Sequence, residues 1–255
     1  MRGNQFRQPE EEGTMVYGTR AVIEAIRSGK DLERLFIQNG LNNPLIRELK
    51  DEIREAGIQF LSVPAEKLNR LTRSNHQGVI GIISTVTYAK IENVLPGLFE
   101  KGKNPLIIIL DRITDTRNLG AIARSAECAG AHAIIIPSRG SALINSDAIK
   151  TSAGALHHIP VCREDNLKDT IEYLKSSGLK IISCTEKTDK YTFEADFKEP
   201  LAIIMGSEEN GVSGEYLKRS DFAVKIPMAG TLSSYNVSVA AGMVLYEVLV
   251  QRRKI

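Results

Sequence analysis

Three stretches of this chain place hydrogen-bonding and charged side chains where apolar runs end. In LIIILDRITDTRNLGAIARSAECAGA, a strand-length apolar run opens onto Asn118, Gly120 and Arg124. In LAIIMGSEENGVS, the run ends at Gly206, Ser207, Glu208 and Gly211. In IPMAGTLSSYNVSVAAGMVLY, Ile226, Pro227 and Met228 precede Ser234, Asn236, Val237 and Ser238. The set offers a carboxylate, a guanidinium, two amides and several hydroxyls, which can orient polar reactants and hold charge. A polar loop between buried elements is also a common ligand site. Dinucleotide chemistry is excluded, because DRITDTRNLG has no G-x-G-x-x-G turn, and there is no Walker A sequence. His157 and His158 lack Cys or carboxylate partners at ligand spacing, so no metal is expected. Cys128, Cys162 and Cys184 are odd in number and widely spaced, which suits reduced, mostly buried thiols in a cytoplasmic protein.

Apolar runs near 106–110, 133–136, 180–183, 201–205 and 222–226 are separated by helical lengths. Continuous apolar strands alternating with helices predict an α/β fold with a parallel sheet covered on both faces. The three polar stretches follow the carboxyl ends of strands 106–110, 201–205 and 222–226, the edge where such sheets bind ligands. Asn118 is expected to cap the helix carrying Arg124, and Asn236 or Ser238 to cap the last helix. Val239, Ala240, Met243, Val244 and Val248 recur at helical spacing and predict that helix's buried face.

Length and composition set the frame. The chain has 255 residues, 42% apolar and 25% charged, with a formal net charge of +2, so the overall charge does not announce nucleic-acid binding and any such affinity would have to come from local patches. No apolar run approaches the ~18 residues of a membrane span. Residues 1–13 have no apolar core and read as a disordered tail, not a secretory signal. Residues 14–86 read as a small domain of alternating helices and strands, with a basic segment, KLNRLTRSNHQG, at residues 67–78. Pro96, Gly97, Gly102 and Pro105, around an expected short helix, mark 87–104 as a linker, and residues 105–255 form the second domain.

Three motifs in order, N-x-G-x-x-x-R, G-S-E-x-x-G and I-P-M…S-x-N-V-S, resemble the signature of the SPOUT superfamily and, within it, the TrmH-type RNA ribose 2'-O-methyltransferases. YGTRAVIEAI and HQGVIGI resemble the N-terminal substrate-recognition domain of RlmB-like 23S rRNA (guanosine-2'-O-)-methyltransferases, and KTSAGALHHIPV also fits the family. The resemblance implies a deep trefoil knot in the C-terminal domain, S-adenosyl-L-methionine as methyl donor, and a homodimer using the C-terminal helix. It implies Asn118, Arg124, Glu208, Ser234 and Asn236 as catalytic residues. Gly206, Ile226, Met228, Ser234, Asn236 and Val237 would hold the cofactor, with Gly206 allowing close backbone approach. Arg20, Lys67, Arg70, Arg73, His76 and Arg117 would meet RNA. The family's arginine is sometimes called a general base. A guanidinium stays protonated at any ordinary pH, so Arg124 is expected to bind the phosphate beside the target ribose, with Glu208 holding Arg124 or a loop N–H.

Two residues depart from the family pattern: Tyr235 stands where Leu is common and Thr116 where Pro is frequent. The target expected is a guanosine of 23S rRNA. The same chemistry on tRNA or another rRNA nucleotide, and a non-catalytic RNA-binding assembly factor, remain open at this point.

Overall fold

The computed structural model describes residues 15–253, so the tail expected at 1–13 lies outside the described residues. Two compact units divide at Thr85 and Val86. In the first, strands β1 (Met15–Tyr17), β2 (Leu32–Gln38), β3 (Leu61–Val63) and β4 (Val79–Ile83) form a sheet of order β1-β4-β2-β3. Helices α1 (Thr19–Arg27), α2 (Pro44–Glu55) and α3 (Ala65–Leu71) complete it. Helix α2 begins where Asn43 accepts from Ile46 N–H, with Pro44 at the first helical position, where the missing N–H costs nothing. Val22, Ile23 and Ile26 of α1 pack with Ile46, Leu49 and Ile53 of α2 over Leu35 and Ile37.

The second unit carries the sheet predicted from the apolar runs. Its strands are β5 (Tyr88–Ala89), β6 (Leu106–Leu110), β7 (Ala133–Pro137), β8 (Val161–Glu164), β9 (Lys180–Cys184), β10 (Leu201–Met205) and β11 (Phe222–Val224). All pairings are parallel, in the order β11-β9-β10-β6-β7-β8-β5. The helices are α4 (Ile91–Glu100), α5 (Thr116–Cys128), α6 (Ser146–Thr151), α7 (Leu167–Ser176), α8 (Gly214–Leu217) and α9 (Val237–Arg253). Alternate residues of β6 face opposite cores. Leu106, Ile108 and Leu110 pack with α5 and α9, while Ile107 and Ile109 pack with α4 and α7. Burial on both sides explains why these strands read as unbroken apolar runs.

Four expectations change. The segment expected as a linker around a short helix, 87–104, also holds edge strand β5, and its helix α4 is part of the core, with Ile91 and Leu95 each 1% exposed. Strand β8 was not foreseen, because only two of its four residues are buried. Helix α9 buries Val237, Ala241, Val244, Leu245 and Val248, whereas Val239 and Met243, expected inside, are exposed. The helix is apolar around most of its circumference, so periodicity alone could not choose its buried face. Among the cysteines, Cys162 is buried, Cys184 half-buried and Cys128 exposed.

The last turn of α9 is pinned by a guanidinium. Arg252 donates to the carbonyls of Phe197, Asn104, Pro105 and Glu199 over 2.7–3.2 Å, tying the helix to the start of β6 and to the segment before β10. Burial among these carbonyls pushes its pKa below the usual arginine value. No helix among the described residues is long and apolar enough to cross a membrane.

The glycine of the first motif is explained by packing. A Cβ at Gly120 would lie 2.7 Å from Ala148 O and 2.9 Å from Thr151 Cβ, because α5 and α6 touch at this point. The small residues of KTSAGALHH therefore permit a close helix contact. Gly120→Ala should destabilise the protein by about 1–3 kcal/mol, the usual cost of overpacking, as read from the urea midpoint. An unchanged midpoint would show that α6 can simply move away.

Candidate active site

The carboxyl ends of β6, β9, β10 and β11 lie along one edge, and the loops that leave them enclose two cavities. The larger, about 320 Å³, is walled by residues following β9 (Thr185, Glu186, Lys187), the loop 206–211 after β10, and the segment 225–235 after β11. The smaller, about 220 Å³, lies between the residues after β6 (Arg112, Ile113, Thr114, Asp115), Asn118 and the same β10 loop. Ser207, Glu208, Glu209, Asn210 and Val237 border both, so the β10 loop is their common wall.

Glu208 stands in that wall and joins all three motifs. Its Oε1 accepts from Asn118 Nδ2 at 2.8 Å and from Asn236 Nδ2 at 2.9 Å. Asn236 Nδ2 also donates to Asn118 Oδ1 at 3.1 Å, closing a ring of two amides and a carboxylate. The other end of Asn236 is fixed too. Its Oδ1 accepts from Ser238 N–H at 2.9 Å and from Ser238 Oγ at 2.6 Å, capping α9 as expected. Capping uses the carbonyl oxygen and turns the NH2 toward Glu208. Helix α5 is capped differently from expectation: Asp115, not Asn118, accepts from Asn118 N–H at 2.8 Å. Relieved of that task, the Asn118 side chain enters the ring.

The β10 loop is rigid for a local reason. Ser207 O accepts from Gly211 N–H at 2.8 Å, and Ser207 Oγ accepts from Asn210 N–H at 3.2 Å. A Cβ on Gly206 would meet Gly211 C and Val212 N at 2.1 Å. Gly206 is thus required by the loop's own return path, whereas the sequence suggested close approach of a ligand.

Gly206, Ile226, Met228, Ser234 and Val237 line the larger cavity, and Asn236 reaches it only through the Glu208 ring. Tyr235, whose ring also lines it, donates from its hydroxyl to Pro227 O at 3.2 Å and so clasps the 227–235 loop. Cys184 is in the wall as well, its thiol pushed up to about 12 by burial and by Glu186, which keeps it neutral. The sequence reading missed Thr185, Glu186 and Lys187. They follow a strand that it did place, and the rule that ligands gather at the carboxyl edge would have found them.

Arg124 is not part of this ring. It lies on an exposed face of α5, lines neither cavity, and has no hydrogen-bond or ion-pair partner among the described residues. The expected Glu208–Arg124 pair is replaced by the two amides. Arg117 is exposed in the first turn of α5. In the first unit Arg20, Lys67, Arg70 and Arg73 are exposed, with Lys67 Nζ 5.5 Å from the centre of the Phe36 ring. His76 differs. Its Nδ1 accepts from Gly78 N–H at 3.0 Å and its Nε2 faces Asn69 Oδ1 at 2.9 Å, so both ring nitrogens have partners within the first unit.

Both units are similar to known proteins. Residues 105–246 match the SpoU rRNA Methylase family, and residues 15–89 match the RNA 2'-O ribose methyltransferase substrate binding family. A Bacillus subtilis (strain 168) protein whose name places it in the TrmH family of tRNA/rRNA methyltransferases is 34% identical over 240 residues, covering 94% of this chain and 96% of its own. A Staphylococcus aureus (strain MSSA476) protein named for the same family is 37% identical over 246 residues, covering 96% and 98%. The crystal structure of the SpoU methyltransferase AviRb from Streptomyces viridochromogenes in complex with AdoMet is similar with a TM-score of 0.60 and 26% identity, over 94% of this chain and 91% of that one. With a family model matching residues 105–246 and a relative 37% identical over 96% of the chain, the chain belongs to the SpoU rRNA methylase family.

Proposed function

We propose that this protein transfers a methyl group from S-adenosyl-L-methionine to a ribose 2'-oxygen of RNA, with a guanosine of 23S rRNA as the target. The observation that carries the reading is the Asn118–Glu208–Asn236 ring, built from three motifs and set between two cavities. The larger cavity, about 320 Å³, is within the usual range for small-molecule sites, roughly 300–1,000 Å³. It also fits the chemistry of the donor. Ile226, Met228 and Tyr235 offer apolar surface for an adenine, and Glu186 and Lys187 offer charge for an amino-acid group. Bound there, S-adenosyl-L-methionine supplies an electrophilic methyl group.

The chain's own residues then position the nucleophile. The smaller cavity admits the ribose, and Asn118 orients it beside Glu208. Oε1 of Glu208 is held by two amides, and Oε2, free of partners among the described residues, accepts the 2'-hydroxyl proton. Ser234 completes the polar lining on the cofactor side. Alignment of two reactants in this way supplies several kcal/mol of the barrier reduction. Arg124 binds the neighbouring phosphate, and Arg117, Arg20, Lys67, Arg70 and Arg73 supply sequence-independent RNA affinity. The match of residues 15–89 to a substrate-binding family supports RNA recognition by the first unit.

Helix α9 supports a homodimer. Val239, Met243 and Tyr246 are 48%, 40% and 68% exposed and recur at helical spacing on one face. A second copy covering that face would shield the site and bring in side chains from outside it. Localisation in the cytoplasm, where rRNA is assembled, and the C-terminal knot belong to the same reading. An assembly factor without catalysis would have no need of a cofactor cavity. Methylation of tRNA or of another rRNA nucleotide would use the same site, and mass-spectrometric mapping of ribose methylation in cells with and without the gene separates these targets.

Three outcomes test the reading. Glu208→Gln keeps the side chain's shape and removes its charge, so turnover should fall on the order of 100-fold while calorimetry finds little change in cofactor affinity; unchanged turnover would remove Glu208 from the chemistry. Gly206→Ala cannot be relieved by a rotamer, and cofactor affinity should drop at least roughly tenfold with a loss of stability of about 1–3 kcal/mol. Tyr246→Lys should convert a dimer into a monomer in light scattering, and a wild-type protein already monomeric at high concentration would refute the dimer.

A further inference from the structure

Asp111 and Arg112 follow β6 and pair with each other. Arg112 donates from Nε to Asp111 Oδ1 at 2.8 Å and from Nη2 to Oδ2 at 3.0 Å. The same Nη2 donates to Gly211 O at 3.1 Å, and Ser213 N–H donates to Asp111 Oδ2 at 2.7 Å. The pair therefore grips the β10 loop at two points just beyond Glu208. Asp111 is 1% exposed, and among the described residues no other charged side chain is buried. Arg112 has a backbone φ of 58°, in the left-handed region that costs a non-glycine residue about 1–2 kcal/mol. A buried carboxylate beside a strained arginine is an expensive dipeptide for a loop tie that simpler residues could make. Such strain concentrates where it serves a site.

The position of the guanidinium shows what it serves. Arg112 lines the smaller cavity together with Asn118, while Gly211, which it holds, lines the larger. Its Nη1 has no partner among the described residues and is available to an anion in the smaller cavity. We propose that Arg112 binds an RNA phosphate through Nη1 while Nη2 holds Gly211, so that RNA occupancy tightens the cofactor loop. The guanidinium is a rigid plane, and a phosphate on one edge fixes the edge that holds the loop. Linkage then makes the effect reciprocal: bound cofactor must favour RNA by the same factor. Arg112 is a positioning residue on this account, and the account rests on the function proposed above.

The test measures binding of labelled S-adenosylhomocysteine to the full-length protein by equilibrium dialysis, with and without saturating 23S rRNA transcript. The wild type should bind it at least about fivefold more tightly with RNA. Arg112→Lys keeps the charge but loses the two-edged fork, and should lose most of that factor. The double variant Asp111→Asn with Arg112→Gly removes the buried carboxylate and the backbone strain together, and a urea midpoint close to the wild type's confirms that it is folded before binding is compared. It should abolish the factor and lower the salt slope of RNA binding by about one. Full retention of the factor in both variants, or a wild type whose affinity ignores RNA, overturns the inference and leaves the proposed activity standing. A wild type that binds neither ligand overturns both.

Discussion

The site depends on one constraint, the parallel register of β10 between β6 and β9. Met205 is level with Leu110 on one side and with Cys184 on the other. Because all three strands run the same way, Asp111, Gly206 and Thr185 leave the sheet at the same edge. Parallel neighbours need long crossover connections, which is why the residues that meet there are far apart in the chain. Packing on both faces constrains the register, since a one-residue slip of a strand would turn each of its side chains toward the opposite core, where the space is shaped for another residue. Loops anchored to such a base begin from fixed points, and the ring around Glu208 inherits that precision.

Within the loops, single side chains satisfy two demands at once. Asn236 caps α9 with its oxygen and donates to Glu208 and Asn118 with its nitrogen. An aspartate could cap equally well, but it would set a second carboxylate oxygen 2.9 Å from Glu208 where a donor now stands. Asparagine is thus selected by the ring and not by the helix. Asp115 shows the complementary case: at the start of α5 the cap faces solvent, and a carboxylate there is favoured by the helix dipole. Capping and chemistry together decide which short polar residue stands at each helix start.

The sheet and the three motifs were legible because both leave local signals, strand-length apolar runs followed by Gly, Asn and Glu. What was not legible required knowledge of neighbours. Pro96 and Gly97 resemble linker residues, yet Ile91 and Leu95 carry α4 into the core despite them. The cap of α5 was assigned to Asn118 from sequence, whereas Asp115, three residues earlier, accepts from Asn118 N–H and starts the helix sooner. The basic run 67–78 suggested that His76 meets RNA, and nothing in it showed that the ring's partners are Gly78 and Asn69. Arg112 passed unnoticed because nothing in the sequence announces a positive φ at an arginine.

The exposure of the ring carries the last step. Glu208, Ser234 and Asn236 are all exposed, and Arg124 stands apart with no partner among the described residues. Hydrogen bonds open to water are individually worth about 1 kcal/mol or less, so the ring relies for its geometry on the strand register beneath it. Displacement at a methyl group also gains from excluding water, which strengthens every polar contact in the site. The loops at the sheet edge therefore supply a floor with its donors aimed, and Val239, Met243 and Tyr246, exposed on the helix that Asn236 caps, are apolar surface on which a covering layer would add that exclusion.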